Sequence, residues 1–130
     1  MDQRIAPSRR PRVVIVEDDP AFLTALKFSL EADGYEVCAF VAQGELLSRR
    51  EAFLGASCLV LDYRQTPLDG LELYALLRNL GSTAPAILVT SHPDEECRRE
   101  ALGLGVRIVE KPLLSDDPSR LIGQLAILPS

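Results

Sequence analysis

Glu17, Asp18, Asp62, Thr90 and Lys111 are the side chains here whose types and placement could do chemistry. Each stands at the end of a short apolar run. Val13-Val14-Ile15-Val16 leads into Glu17-Asp18-Asp19, and Leu59-Val60-Leu61 leads into Asp62. Ile87-Leu88-Val89 leads into Thr90-Ser91, and Ile108-Val109-Glu110 into Lys111-Pro112. Three carboxylates, a hydroxyl and an ammonium on one rim are suited to holding a divalent cation and a phosphoryl group. The rim follows from topology. Apolar runs separated by helix-like stretches read as strands of a parallel sheet covered on both faces. The carboxyl ends of such strands open on one edge, where ligands bind.

The elements between the runs support that layout. Asp19-Pro20 is a helix start, a side-chain cap followed by proline at the first helical position. Phe22, Leu23, Leu26 and Leu30 then recur at helical spacing, and Asp33-Gly34 ends the helix. Tyr35–Phe40 reads as a second strand, followed by one helix from Gly44 through Leu46 and Leu47 toward Phe53. Cys58–Leu61 is the third strand. After the loop Tyr63–Gly70, the segment Leu71–Leu80 forms a helix stopped by Gly81. Ala86–Val89 is the fourth strand, and Pro93-Asp94 opens a helix bracketed at its end by Gly103 and Gly105. Val106–Val109 is the fifth strand and Ser119–Leu128 the last helix. Alternating strand–helix units of this kind make one doubly wound α/β domain.

Bulk composition narrows the function classes. The chain has 130 residues, 47% hydrophobic and 25% charged, the proportions of an ordinary globular domain. A net charge of −5 argues against sequence-independent binding to nucleic acid. Residues 1–11, with Arg4, Arg9 and Arg10, read as a basic, disordered arm ahead of a domain at 12–128. No segment has the length of a membrane span or the apolar core of a signal peptide, so the protein reads as cytoplasmic. Cys38, Cys58 and Cys97 have no metal-ligand spacing. The first two read as core residues and Cys97, in a charged helix, as partly exposed. His92, the only histidine, reads as a loop residue, and Asp19 as a helix cap rather than a metal ligand.

The four motifs together resemble the receiver domain of bacterial two-component response regulators, the CheY-like family, over residues 12–128. VVIVEDDP is similar to the first strand and acidic pocket, and LVLDYRQTPLDGLEL to the phosphoacceptor strand and loop. AILVTS and VEKP are similar to the strands ending in a hydroxyl residue and in lysine–proline. Asp62 precedes Gly70 by eight residues and Thr90 by twenty-eight, ordinary spacings in that family.

The resemblance implies a five-stranded parallel sheet of flavodoxin-like order 2-1-3-4-5 with helices on both faces. It implies a chain that is not an enzyme in the turnover sense: Asp62 accepts a phosphoryl group and the domain catalyses its own phosphotransfer and dephosphorylation. Mg²⁺ is the implied cofactor, held by Glu17, Asp18, Asp62 and the backbone carbonyl of Arg64. Mutual repulsion of the three acids would raise the cost of ionising them all, which a divalent cation relieves. Thr90 and Lys111 would contact phosphoryl oxygens, and Ser91 would leave room beside them. The implied partners are a histidine kinase or histidine phosphotransfer protein, and a downstream protein on the face of the fourth helix, fifth strand and fifth helix; a homodimer is compatible. With no output module following Leu128, the expectation is a single-domain regulator acting through protein contacts.

Departures from the family pattern mark where behaviour would diverge. Ile108 stands where an aromatic residue is usual, Thr90 to Lys111 spans twenty-one residues, one short of the common spacing, and Gln65-Thr66-Pro67 replaces methionine–proline. Ile108 keeps open a phosphorylation-independent binding module, and a receiver detached from a larger regulator is the other alternative. Arg64 and His92 lie two residues beyond Asp62 and Thr90, positions that the resemblance implies flank the path of the attacking water, so Arg64 is expected to lengthen the lifetime of a phosphoryl group. LVLDYRQT is also faintly similar to the D-x-D-x-T signature of haloacid dehalogenase-type hydrolases. Arg64, however, sits where that chemistry needs its second aspartate.

Overall fold

A computed structural model describes residues 10–111; residues 1–9, Pro112 and the helix expected at 119–128 lie outside it. The strands are β1 (Arg12–Val16), β2 (Glu36–Phe40), β3 (Cys58–Asp62), β4 (Ala86–Thr90) and β5 (Arg107–Glu110). The helices are α1 (Pro20–Ala32), α2 (Gln43–Leu47), α3 (Arg50–Leu54), α4 (Gly70–Asn79) and α5 (Glu95–Leu104). All strands run parallel in the order β2-β1-β3-β4-β5, the doubly wound arrangement expected from the motifs.

Side chains alternate across each strand, so consecutive apolar residues fill two cores. Val14, Val16, Leu59, Leu61, Ala86 and Leu88 pack with Leu46, Phe53, Leu73 and Leu77 from α2, α3 and α4. Val13, Ile15, Cys58, Val60, Ile87 and Val89 pack on the other face with Leu23, Leu26 and Leu30 of α1. Unbroken apolar runs are what a sheet buried on both faces demands.

Two expectations are corrected. The single helix placed from Gly44 toward Phe53 is two short helices, α2 and α3, separated at Ser48-Arg49. The Ser48 hydroxyl donates to the Glu45 carbonyl at 2.9 Å, turning the chain back on its own first helix, a local bond that competes with helix continuation. Cys97 is fully buried, not partly exposed. It shares the inner face of α5 with Ala101, four residues on, and the charged neighbours occupy the outer face.

The starts of α1 and α5 are capped by Asp19 and Asp94, as read. The Asp19 carboxylate accepts from the amides of Ala21 and Phe22. α4 begins with a reciprocal capping box between Asp69 and Glu72. α5 ends at Gly105, whose φ of +73° is the left-handed conformation that glycine adopts without strain.

Candidate functional site

Hydrogen bonds carry the sheet ladder one residue past several strand ends and hold the rim in place. The Glu17 amide donates to Phe40 O at 3.0 Å, Tyr63 N to Val89 O at 2.9 Å, and Lys111 N to Thr90 O at 2.9 Å. The rim therefore brings together the side chains that the sequence pointed to. Glu17, Asp18 and Asp62 each place a carboxylate oxygen within 4.8 Å of the others. Glu17 and Asp62 are buried, at 2% and 5% exposure, while Asp18 faces outward.

Lys111 reaches the same place from β5. Its ammonium lies 2.9 Å from Glu17 Oε1 and 3.8 Å from Asp62 Oδ1. The Phe22 ring, 4.6 Å from Nζ to its centroid, holds the ammonium by a cation–π contact. From the sequence Phe22 is only a helix core position; an aromatic in the first turn of the helix that follows the acidic run is the available signal for its contact with Lys111. The Glu17 Oε2 atom accepts from Asp19 N at 3.1 Å, so both its oxygens are engaged.

Burial, above all, pushes the Asp62 carboxyl up to about 7, and the neighbouring Glu17 carboxylate pushes in the same direction. Lys111 and the Arg64 amide, which donates to Asp62 Oδ1 at 3.4 Å, oppose the rise, and Asp18 adds a smaller upward push. Removal from water, more than acid–acid repulsion, thus sets the cost of ionising Asp62.

Thr90 is 1% exposed, and its hydroxyl has no hydrogen-bond partner among the described residues. A buried hydroxyl left without a partner is costly, and such groups gather at functional sites. Gly70 closes the floor. A Cβ there would stand 2.6 Å from Asp62 O, 2.6 Å from a Leu88 methyl and 3.0 Å from Tyr63 Cα, so only glycine lets α4 start this close to β3.

The loop after Asp62 shows contacts that sequence reading missed. Gln65 Nε2 donates to the Asp62 carbonyl at 2.6 Å. Gln43, buried at the start of α2, donates to Gln65 Oε1 at 2.8 Å and to Leu68 O at 2.7 Å. The Arg64 guanidinium donates to the His92 carbonyl at 3.4 Å, joining the loops that follow β3 and β4.

A doubly wound sheet whose carboxyl edge carries a three-acid pocket, a lysine and a buried hydroxyl defines a class of α/β domains that bind ligands at that edge. Residues 13–124 match the response regulator receiver domain family. The chain belongs to that family. It is 32% identical over 117 residues to the transcriptional regulatory protein FixJ of Bradyrhizobium diazoefficiens, covering 85% of this chain and 54% of FixJ. It is 37% identical over 113 residues to a 14.6 kDa protein from the sodA1 3′ region of Leptolyngbya boryana, covering 85% and 83% respectively. The chain thus spans about half of FixJ and most of the Leptolyngbya protein. A CheY-like receiver from Methanospirillum hungatei superposes with a TM-score of 0.74 at 28% identity, covering 88% of this chain and 90% of that one. The Francisella response regulator 1452 receiver has the same fold, with a TM-score of 0.81 at 22% identity over 93% and 100%.

Proposed function

We propose that the domain accepts a phosphoryl group on Asp62 from the phosphohistidine of a kinase or phosphotransfer protein, in a Mg²⁺-dependent reaction. The carrying observation is the convergence of Glu17, Asp18 and Asp62 oxygens within 4.8 Å. Hard oxygen donors of this kind fit Mg²⁺, with Glu17, Asp18, Asp62 and the Arg64 carbonyl as its holders. A buried carboxyl pushed up to about 7 fits the same cation, whose charge would favour the ionised form. When bound, Mg²⁺ supplies positive charge against the phosphoryl oxygens.

An Asp62 carboxylate oxygen attacks phosphorus as the P–N bond breaks and the donor imidazole leaves, forming an acyl phosphate on Asp62. Lys111, already 3.8 Å from Asp62, pairs with a phosphoryl oxygen. The unpartnered Thr90 hydroxyl donates to another. Ser91 is small enough to leave the approach open. These contacts bias the domain between two surface states.

The output surface in this reading is the face of α5 and β5, where Leu102 and Leu104 are exposed. A downstream protein docks there, or a second copy, in the compartment of the kinase's phosphohistidine, the cytoplasm. Among the described residues no helix is long and apolar enough to cross a membrane.

We place the domain at residues 12–128 behind a basic arm at 1–11, and read it as a regulator of one domain. The extensive coverage of the Leptolyngbya protein supports that reading, and the half coverage of FixJ favours a second one, a receiver within a longer regulator. The mass of the protein in extracts of its own cells separates the two.

Titration with Mg²⁺ and beryllofluoride, followed by amide shifts of Asp62, Thr90 and Lys111, tests the phosphoacceptor reading. The expected result is saturable shifts that Asp62→Ala abolishes. Absence of a response in the wild type refutes it and favours binding that is independent of phosphorylation, the reading that Ile108 keeps open.

A further inference from the structure

The loop 62–65 must do two things in the reading above: present the Asp62 carboxylate and offer a backbone carbonyl from Arg64. The sheet ladder ends with the Tyr63 amide, which donates to Val89 O at 2.9 Å, so ladder bonds do not hold Arg64 and Gln65. The chain closes the turn with side chains instead. Gln65 folds back and donates to the Asp62 carbonyl at 2.6 Å, and its own amide N–H donates to Tyr63 O at 3.1 Å. Arg64 lies inside this closed ring, its amide on Asp62 Oδ1.

The side chain that closes the ring is itself held. Gln43 Nε2 donates at 2.8 Å to Gln65 Oε1, which fixes the Gln65 amide so that its nitrogen faces Asp62. Gln43 is fixed in turn by Leu68, donating to its carbonyl at 2.7 Å and accepting from its amide at 3.3 Å. Gln43 is 2% exposed, so these bonds face little competition from water. It is the first residue of α2, immediately beyond the short connection from β2. The bonds therefore run in series from the β2 edge of the sheet to the phosphoacceptor's main chain.

We propose that Gln43 and Gln65 form a positioning tether that holds the Asp62–Gln65 turn in its cation-binding shape, so that Mg²⁺ affinity depends on two side chains that need not touch the ion. The tether rests on the functional reading given above. It also gives a physical role to Gln65 at the position where the family pattern has methionine. A methionine fills the same space and cannot donate to Asp62 O.

The test is Mg²⁺ titration of the full chain, read by the Asp62 and Arg64 amide resonances, in wild type, Gln65→Met, Gln43→Met and the double variant. Gln65→Met is expected to raise the half-saturating Mg²⁺ about fivefold to tenfold, the effect of one buried hydrogen bond. Its thermal midpoint should fall by no more than about 8 °C, the cost of one or two lost hydrogen bonds at conserved volume, so the domain stays folded through the titration. Gln43→Met is expected to shift in the same direction and to move the Arg64 amide resonance in the absence of metal. The double variant should be no worse than the weaker-binding single, within about twofold, because the bonds act in series.

If Gln43→Met does not fold, Gln43→Glu replaces it, since it keeps the acceptor for Leu68 N and loses both donated bonds. Effects of the two singles that multiply in the double variant overturn the series arrangement. A wild-type titration that Gln65→Met reproduces within about twofold overturns the tether alone. A wild-type chain with no Mg²⁺ response overturns the functional reading and the tether with it.

Discussion

Asp62→Asn removes one negative charge and almost no volume, and should make the metal-free domain more stable above neutral pH. In the folded chain burial and Glu17 push the Asp62 carboxyl up to about 7, whereas an aspartate in an unfolded chain ionises near 3.9. Folding therefore favours the protonated form. The contribution is fully present below about pH 4 and is lost as pH rises through about 7. At about 1.4 kcal/mol per pH unit, the ionised carboxylate costs up to roughly 4 kcal/mol of stability by pH 8. Relaxation around Lys111 and water at the open side of the pocket bring the expected gain for Asp62→Asn to about 2–4 kcal/mol at pH 8, and to under about 1 kcal/mol near pH 4.5. Urea unfolding followed by far-ultraviolet circular dichroism, in chelator, at pH 4.5, 6 and 8, gives the comparison; the chain has no tryptophan to report it. Added Mg²⁺ should then raise the wild type toward the variant and leave the variant nearly unmoved. A stability gap that is independent of pH, or a variant less stable than wild type at pH 8, refutes the reasoning.

Thr90→Val removes a buried hydroxyl without a partner among the described residues, so unphosphorylated stability should hold or rise by up to about 1 kcal/mol, while the beryllofluoride-induced shifts on α5 and β5 are lost. Unfolding curves and amide spectra check the two halves separately. Gly70→Ala drives a methyl group against Asp62 O and Leu88, so it should cost about 1–3 kcal/mol and displace the Asp62 resonance, both seen in one set of melts and spectra. Arg64→Ala breaks the bridge to the His92 carbonyl and removes the side chain that would shield an acyl phosphate on Asp62 from water. The acyl phosphate formed from a small phosphodonor should then decay about threefold faster or more, measured as phosphate release.

The legible parts of this fold were those whose cause is local. Asp19-Pro20 starts α1 because a carboxylate caps and proline suits the first turn, and both act within three residues. The strands were legible because a sheet buried on both faces requires unbroken apolar runs, which few other structures do. The break between α2 and α3 was not legible, because Leu46, Leu47 and Phe53 fit one helical stripe as well as two. The turn depends on a Ser48 side chain choosing a backbone partner. Cys97 was misread for a related reason: charge density along α5 says nothing about which face it occupies. Ala101, four residues on, was the clue.

The site divides along the same line. Glu17, Asp18, Asp62, Thr90 and Lys111 were legible because strand ends converge by topology, so order along the chain is enough to bring them to one rim. Phe22, Gln43 and Gln65 act through contacts whose geometry the sequence does not encode. An amide side chain at a helix start has many possible partners. Only the path of the loop after Asp62 selects Gln65 and Leu68 for Gln43. The residues offering charge are thus placed by the sheet, while those refining the placement belong to the loops. Variation in cation affinity among receivers sharing the five charged and hydroxyl positions would then trace to amide and aromatic side chains in that outer layer. In this chain Gln43→Met and Gln65→Met change that layer and leave the five in place.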